Sequence, residues 1–192
     1  MDDIQISEKK LEDFIYKHLS GEDFYPGFDE IREEENTPDF VFRQMNLGSY
    51  GIADIVTFNI NCDGSITADI YELKKNIIQV QDVIQVFRYK KGIKELFYKI
   101  ERYCKVYCFL IGSGVSDNEE LSIGISEINN LFVYTYDICP KNGIVLNGHN
   151  VVYQNKKISK ITKNQLTCID YKSSHQRYKY LEYTLNQDQE LI

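Results

Sequence analysis

Gly51-Ile52-Ala53-Asp54, then Tyr71-Glu72-Leu73-Lys74, then Gln85-Val86-Phe87-Arg88-Tyr89 are the segments on which the fold turns. They set an acid at the head of one apolar run, an acid and a lysine two apart at the end of the next, and a Gln–Tyr pair at helical spacing behind both. Ile55–Ile60 and Ile66–Tyr71 are rich in β-branched and aromatic residues and predict two strands. Between them, Cys62-Asp63-Gly64 predicts a three-residue hairpin loop with Gly64 in the left-handed position. Paired residue numbers then sum to 126, so Phe58 faces Ala68 and Asp54 faces Glu72. Opposed residues project to one side of an antiparallel pair, and Lys74 joins them because strands alternate with period two. A two-residue Asp63-Gly64 turn would instead oppose Asp54 to Leu73 and disperse the group.

In the first register Val56, Phe58, Ile60, Ile66, Ala68 and Ile70 share the face that ends in Asp54, Glu72 and Lys74. An apolar face closing on unpaired charge is costly unless something compensates it. A divalent cation does so. Mg²⁺ and Mn²⁺ favour carboxylate, carbonyl and water oxygens, and Mg²⁺ is commonly held by one or two carboxylates. Asp54 and Glu72 supply carboxylates, and the Leu73 carbonyl is a third oxygen. Such an ion activates water and neutralises charge on a phosphate, while a lysine orients the water or stabilises an oxyanion.

Each piece alone has an ordinary reading: a turn-capping acid, a solvated Glu-x-Lys strand face, a polar helix pair. Their conjunction resembles the PD-(D/E)XK nuclease superfamily, and Gln85-x-x-x-Tyr89 resembles the element of its RecB-type members. The resemblance covers about residues 7–112. It implies Asp54, Glu72 and the Leu73 carbonyl as metal-holding groups, Mg²⁺ or Mn²⁺ as cofactor, Lys74 as the water-orienting residue, and Gln85 with Tyr89 ordering the site or touching phosphate. It also implies a restriction-endonuclease-like α/β fold of order α-β-β-β-α-β, with a mixed central sheet flanked by helices. The superfamily's proline before the first acid is absent here, where Ile52-Ala53 stands, and this loosens the match.

The N-terminal helix fits that order. Ser7 predicts a cap, Leu11, Phe14, Ile15, His18 and Leu19 an inward stripe, and Gly21 a stop. Glu8, three residues before Leu11, resembles the first-helix acid of archaeal Holliday-junction resolvases and NucS-like endonucleases, and is expected to assist through water. Glu12 is the other candidate, and both also fit as first-turn acids favoured by the helix dipole. Phe40–Leu47 predicts the first strand. A helix from Gln79 to Tyr103 is expected to bury Val80, Ile84, Phe87, Leu96, Phe97 and Ile100, with Gly92 breaking or tilting it. Lys105–Ile111 predicts a buried strand.

Further on, residues 113–170 predict a short helix at Asn118–Ile128, a strand at Leu131–Tyr136, and a second hairpin turning at Asn147-Gly148 between Gly143–Leu146 and Val151–Tyr153. Residues 171–192 predict a polar helix or tail. With no repeat or linker, one domain spanning residues 1–192 is the simplest organisation.

The chain of 192 residues is 43% hydrophobic and 13% aromatic, enough for a core. No apolar run predicts a membrane span, and Met1-Asp2-Asp3 does not begin a signal peptide. Five cysteines without a Cys-x-x-Cys pair, beside three histidines, argue against zinc and for reduced thiols in a cytoplasmic protein. Net charge is −7, unevenly spread. Residues 1–73 hold 17 acids and 5 bases, and residues 74–192 hold 12 acids and 17 bases. Lys75, Arg88, Lys90 and Lys91 follow the motif lysine and, with Tyr89, are candidates for a nucleic-acid backbone, though such a cluster is also an ordinary solvated helix face. Further basic groups stand at Lys156, Lys157, Lys160 and Lys163, and at Lys172, Arg177 and Lys179.

The expected function is a metal-dependent nuclease, endonuclease before exonuclease, acting on DNA with RNA not excluded. A protein partner is then expected to supply specificity, and a homodimer is compatible with the sequence. The alternatives are a non-cleaving nucleic-acid- or protein-binding module on the same fold, as in a phage or defence-system component, and an interaction protein whose charges are surface decoration.

Overall fold

The hairpin sets the register from which the rest of the sheet follows. In the computed structural model, which describes residues 6–28, 31, 37–139, 143–150 and 159–160, strand β2 (Ile52–Ile60) pairs antiparallel with β3 (Ile66–Leu73). Phe58 lies opposite Ala68 and Ile55 opposite Tyr71, the expected 126 register. The loop closes through Asn61 N–H to the Ser65 carbonyl at 2.8 Å and Gly64 N–H to the Asn61 carbonyl at 2.7 Å. Gly64 has φ +82°, a left-handed conformation that residues with a Cβ rarely adopt.

Strand β1 (Phe40–Asn46) adds antiparallel to β2. Strand β5 (Cys104–Gly112) adds parallel to β3, and β7 (Leu131–Cys139) parallel to β5. Strands β8 (Gly143–Asn150) and β9 (Ser159–Lys160) continue antiparallel, giving the order β1-β2-β3-β5-β7-β8-β9. Two short strands, β4 (Ile77–Ile78) and β6 (Gly114–Val115), form a separate parallel pair beside the ends of β3 and β5.

Helices cover both faces of this mixed sheet. Helix α1 (Glu8–Ser20) is capped by Ser7, whose hydroxyl accepts from Lys10 N–H, and ends at the left-handed Gly21. Its Leu11, Ile15 and Leu19 pack with Ile55, Tyr71, Leu73, Phe109, Ile111 and Tyr134. Helix α2 (Val80–Lys99) and helix α3 (Glu119–Glu127) cover the other face. There Val83, Val86, Tyr89, Ile93, Phe97, Leu121 and Ile125 meet the hairpin residues Val56, Phe58, Ala68 and Ile70. The α-β-β-β-α-β order and the mixed sheet between helices are those that the resemblance implies.

Three expectations are corrected. Helix α2 turns a different side to the sheet: Ile84 and Phe87 are 54% and 52% exposed, while Val83, Val86 and Ile93 are buried. The helix is apolar on too many sides for periodicity to fix its phase, and the sheet selects the branched side chains at 83, 86 and 93. Gly92 does not break the helix, which runs on through it to Lys99; it lies against Tyr50, whose side-chain atoms would be 3.0–3.1 Å from an added Cβ. Asn147-Gly148 lies inside β8, opposite Thr135 and Tyr134, and is not a turn. Val151–Tyr153, the 171–192 tail and most of the distal basic groups fall outside the described residues.

Candidate active site

The site forms where β2 begins and β3 ends, at the edge shared by both helical layers. Leu73 N–H donates to Asp54 Oδ2 at 2.8 Å, which ties the first acid to the second motif. Glu72 is 1% exposed. Its Oε1 accepts from Lys74 Nζ at 2.6 Å, and its Oε2 is buried without a hydrogen-bond partner. Lys74 Nζ also donates to Gln85 Oε1 at 3.1 Å and lies 3.6 Å from Asp82 Oδ1. Asp82 in turn accepts from Gln79 N–H at 2.8 Å, so the start of α2 is capped by an acid facing the motif lysine.

Gln85 and Tyr89, one helical turn apart, join Nε2 to the phenol oxygen at 2.5 Å. Gly51, at φ +109°, lets the Tyr89 ring come close: an added Cβ would sit 3.0 Å from Tyr89 Cε1. Glu8 reaches the site from α1, where its Oε2 accepts from Lys75 N–H at 3.1 Å. The Lys75 carbonyl accepts from the Tyr136 hydroxyl on β7 at 2.8 Å. The residue after the motif lysine is therefore held from both sides.

Glu12, the other first-helix candidate, is fully engaged. Its Oε1 accepts from Arg43 Nε at 2.8 Å and its Oε2 from Gln44 Nε2 at 3.0 Å. Arg43 also binds Asp13 and lies over the Tyr16 ring. Glu8 is the first-helix acid whose charge is felt at both Asp54 and Glu72.

The electrostatics follow from burial. Glu72 is pushed up to about 8, first by burial and then by the charge of Asp54, with Lys74 opposing both. Asp54 also rises because it is buried, although the Leu73 N–H and the Gln44 amide favour its ionised form. Burial works against the Lys74 ammonium, but Glu72, Asp82 and Asp54 together keep it above the ordinary lysine value. A buried acid of high proton affinity beside a second acid and a fixed cation is the environment in which a divalent ion displaces a proton.

Two open grooves flank the cluster. One, of about 600 Å³, runs between α1 and β1 and is bounded by Glu8, Glu12, Arg43, Gln44 and Asp54. The other, of about 340 Å³, lies over Tyr50, Gln81, Gln85, Arg88 and Tyr89.

No family model matches the sequence, and no curated protein matches it. Among solved structures, the fold is similar to a repair endonuclease from Pyrococcus abyssi, at 20% identity and TM-score 0.43, over 69% of this chain and 48% of that one. It is also similar to the protein of an EndoMS–dsDNA2 complex, at 18% identity and TM-score 0.37, over 60% of this chain and 41% of that one. This chain thus spans less than half the length of either structure.

The predicted site residues separate into two groups. Asp54, Glu72, Leu73, Lys74, Gln85 and Tyr89 are joined by the contacts above, and Glu8 adjoins them through Lys75. Lys75, Arg88 and Lys91 are exposed, Arg88 donating to the Ser49 carbonyl at 3.4 Å and Lys91 standing over the Tyr50 ring. Lys90 does not belong with them. It is 7% exposed and its ammonium bonds the Asn129 carbonyl beyond α3, because it sits on the inward side of α2. Tyr89 is likewise buried, at 3% exposure, so it braces Gln85 and does not present itself to a backbone.

Sequence reasoning missed Gln44 and Tyr136. Neither lies in a motif, and their contacts, 10 and 61 residues away in the chain, arise only when the strands assemble.

Proposed function

We propose that the chain is a metal-dependent nuclease of the PD-(D/E)XK type that hydrolyses phosphodiester bonds in DNA, as an endonuclease. The observation that carries the reading is Glu72 Oε2, a carboxylate oxygen buried without a partner beside a second acid and a lysine. Orphaned buried oxygens are rare, and one at the junction of two acids fits a cation ligand.

The donor set suits Mg²⁺ or Mn²⁺. The described residues contain no group of three or more His, Cys, Asp or Glu side chains arranged to hold a metal. Mg²⁺ needs only one or two carboxylates and retains several waters. Asp54 and Glu72 would hold it, together with the Leu73 carbonyl, which projects to the same strand edge as the Leu73 N–H bonded to Asp54. A bound ion supplies charge neutralisation at the phosphate and a more acidic water.

The chain's own groups do the rest. Lys74, fixed between Glu72 and Gln85, orients the attacking water and offsets charge developing on the phosphate oxygens. Gln85, braced by Tyr89, sets the position of the Lys74 ammonium. Glu8 assists through water. Lys75, Arg88 and Lys91 line the approach and bind backbone phosphates. A protein partner, or a second copy of the chain, supplies specificity.

One observation favours a non-cleaving binding module instead: Lys74 Nζ lies 2.6 Å from Glu72 Oε1, a contact that closes one metal-facing oxygen with an internal cation. Cleavage decides between them. Circular single-stranded and supercoiled duplex DNA are incubated with Mg²⁺, Mn²⁺ or EDTA, alongside Glu72→Ala and Lys74→Ala. Metal-dependent cutting lost in both variants supports the nuclease. DNA binding without cutting in any metal supports the module.

A further inference from the structure

Gln44 is the one described strand residue other than glycine with a left-handed backbone, at φ +48°. The ladder keeps its register on both sides of it, Arg43 opposite Ile55 and Met45 opposite Ala53, so the distortion is confined to that residue. An exposed glutamine gains nothing from such a conformation through packing, and backbone strain of this kind persists where the surroundings enforce it, commonly at functional sites.

The side chain explains the backbone. Gln44 Nε2 donates to Glu12 Oε2 at 3.0 Å and to Asp54 Oδ1 at 3.2 Å. Two carboxylates facing one carboxamide require its NH₂ and exclude its oxygen, so the orientation follows from the chemistry. Asp54 is thereby held at both oxygens, Oδ2 by the Leu73 N–H and Oδ1 by Gln44. Glu12 is itself anchored by Arg43, which makes the far end of the bridge rigid.

We infer that Gln44 is a positioning residue for the first metal-binding acid, its strained backbone aiming one carboxamide so that Glu12 and Asp54 are held together. This rests on the nuclease reading. Groups that orient a metal's ligands commonly change metal affinity by roughly 10- to 100-fold when removed.

The test opposes stability to affinity. Gln44→Gly removes the carboxamide and also relaxes the left-handed backbone; Gln44→Ala removes the carboxamide and keeps the strain. Mn²⁺ binding to the purified chain is read by electron paramagnetic resonance, thermal unfolding is measured without metal, and cleavage is measured across Mn²⁺ concentrations. The expected result is that both variants bind Mn²⁺ about tenfold more weakly or worse. Gln44→Gly should keep or raise the metal-free melting temperature, and cleavage should recover partly at high Mn²⁺.

Wild-type Mn²⁺ affinity in Gln44→Gly would overturn the inference and leave the nuclease reading standing. Loss of affinity together with a lower melting temperature in Gln44→Gly would also overturn it, because the glutamine would then be a structural tie. A wild-type chain that neither binds Mn²⁺ nor cuts DNA would overturn the nuclease reading, and this inference with it.

Discussion

Replacing Glu72 by glutamine should make the metal-free protein more stable in alkaline solution, and the size of the gain follows from where Glu72 sits. Its carboxyl is pushed up to about 8 by burial and by Asp54, whereas an unfolded glutamate releases its proton near its ordinary value of about 4.3. Between those values the folded state holds a proton that the unfolded state has lost. Stability therefore falls as pH rises through this window and levels off above about 8. Each unit is worth at most about 1.4 kcal/mol, so the ceiling between pH 6 and pH 8 is about 2.7 kcal/mol. Glutamine keeps the shape and an acceptor for Lys74 Nζ but has no proton to lose. The wild-type loss relative to Glu72→Gln should be about 2 kcal/mol over that range, or roughly 4–8 °C in melting temperature for a chain of this size. The assay is urea and thermal unfolding followed by circular dichroism at pH 6, 7, 8 and 9 in EDTA, repeated with Mg²⁺, which should flatten the wild-type profile. Parallel wild-type and variant profiles in EDTA would refute the argument, since Glu72 would then be ionised throughout or solvated by water.

Three further outcomes are expected. Gly112→Ala should destabilise by about 1–3 kcal/mol in denaturant titration, because its Cβ would lie 2.6 Å from Ile78 Cγ1 and 2.9 Å from the Asn76 carbonyl oxygen. Lys91→Met should lower the salt dependence of DNA binding by about one counterion in fluorescence anisotropy, whereas Lys90→Met, changing a buried lysine bonded to Asn129, should leave that slope unchanged. Asp69, pushed up to about 7 by burial and only partly relieved by the Thr57 hydroxyl, loses stability as pH rises towards 7; Asp69→Asn should therefore raise the melting temperature at pH 8 and do less at pH 5.

The legible parts of the chain were those in which local chemistry and long-range pattern agree. Gly64 fixes the hairpin turn, alternation fixes its faces, and together they bring Asp54 to Leu73 and Glu72. Ser7 and Gly21 mark α1 at both ends for equally local reasons. Helix α2 was harder because Val80, Val83, Ile84, Val86 and Phe87 distribute apolar surface around it, and the sheet chooses which of them to bury. That choice turns Lys90 inward with Val83, Val86 and Ile93. Asn147-Gly148 carries strong turn chemistry, yet the open edge of β7 recruits it into a ladder. Gln44 was illegible for another reason: its backbone conformation answers to Glu12 and Asp54, and neither neighbour in sequence announces it.

The double hold on Lys75 has a consequence for the order in which the molecule is made. Its N–H is bonded by a side chain 67 residues earlier and its carbonyl by one 61 residues later. During synthesis, the motif acids and lysine leave the ribosome well before Tyr136 exists to clamp the segment behind them. The Lys75 carbonyl gains its bond only once β7, which pairs with β5, is in place. A nascent chain, or one cut short before that strand, carries Asp54, Glu72 and Lys74 but lacks the Tyr136 bond that holds the backbone beside them.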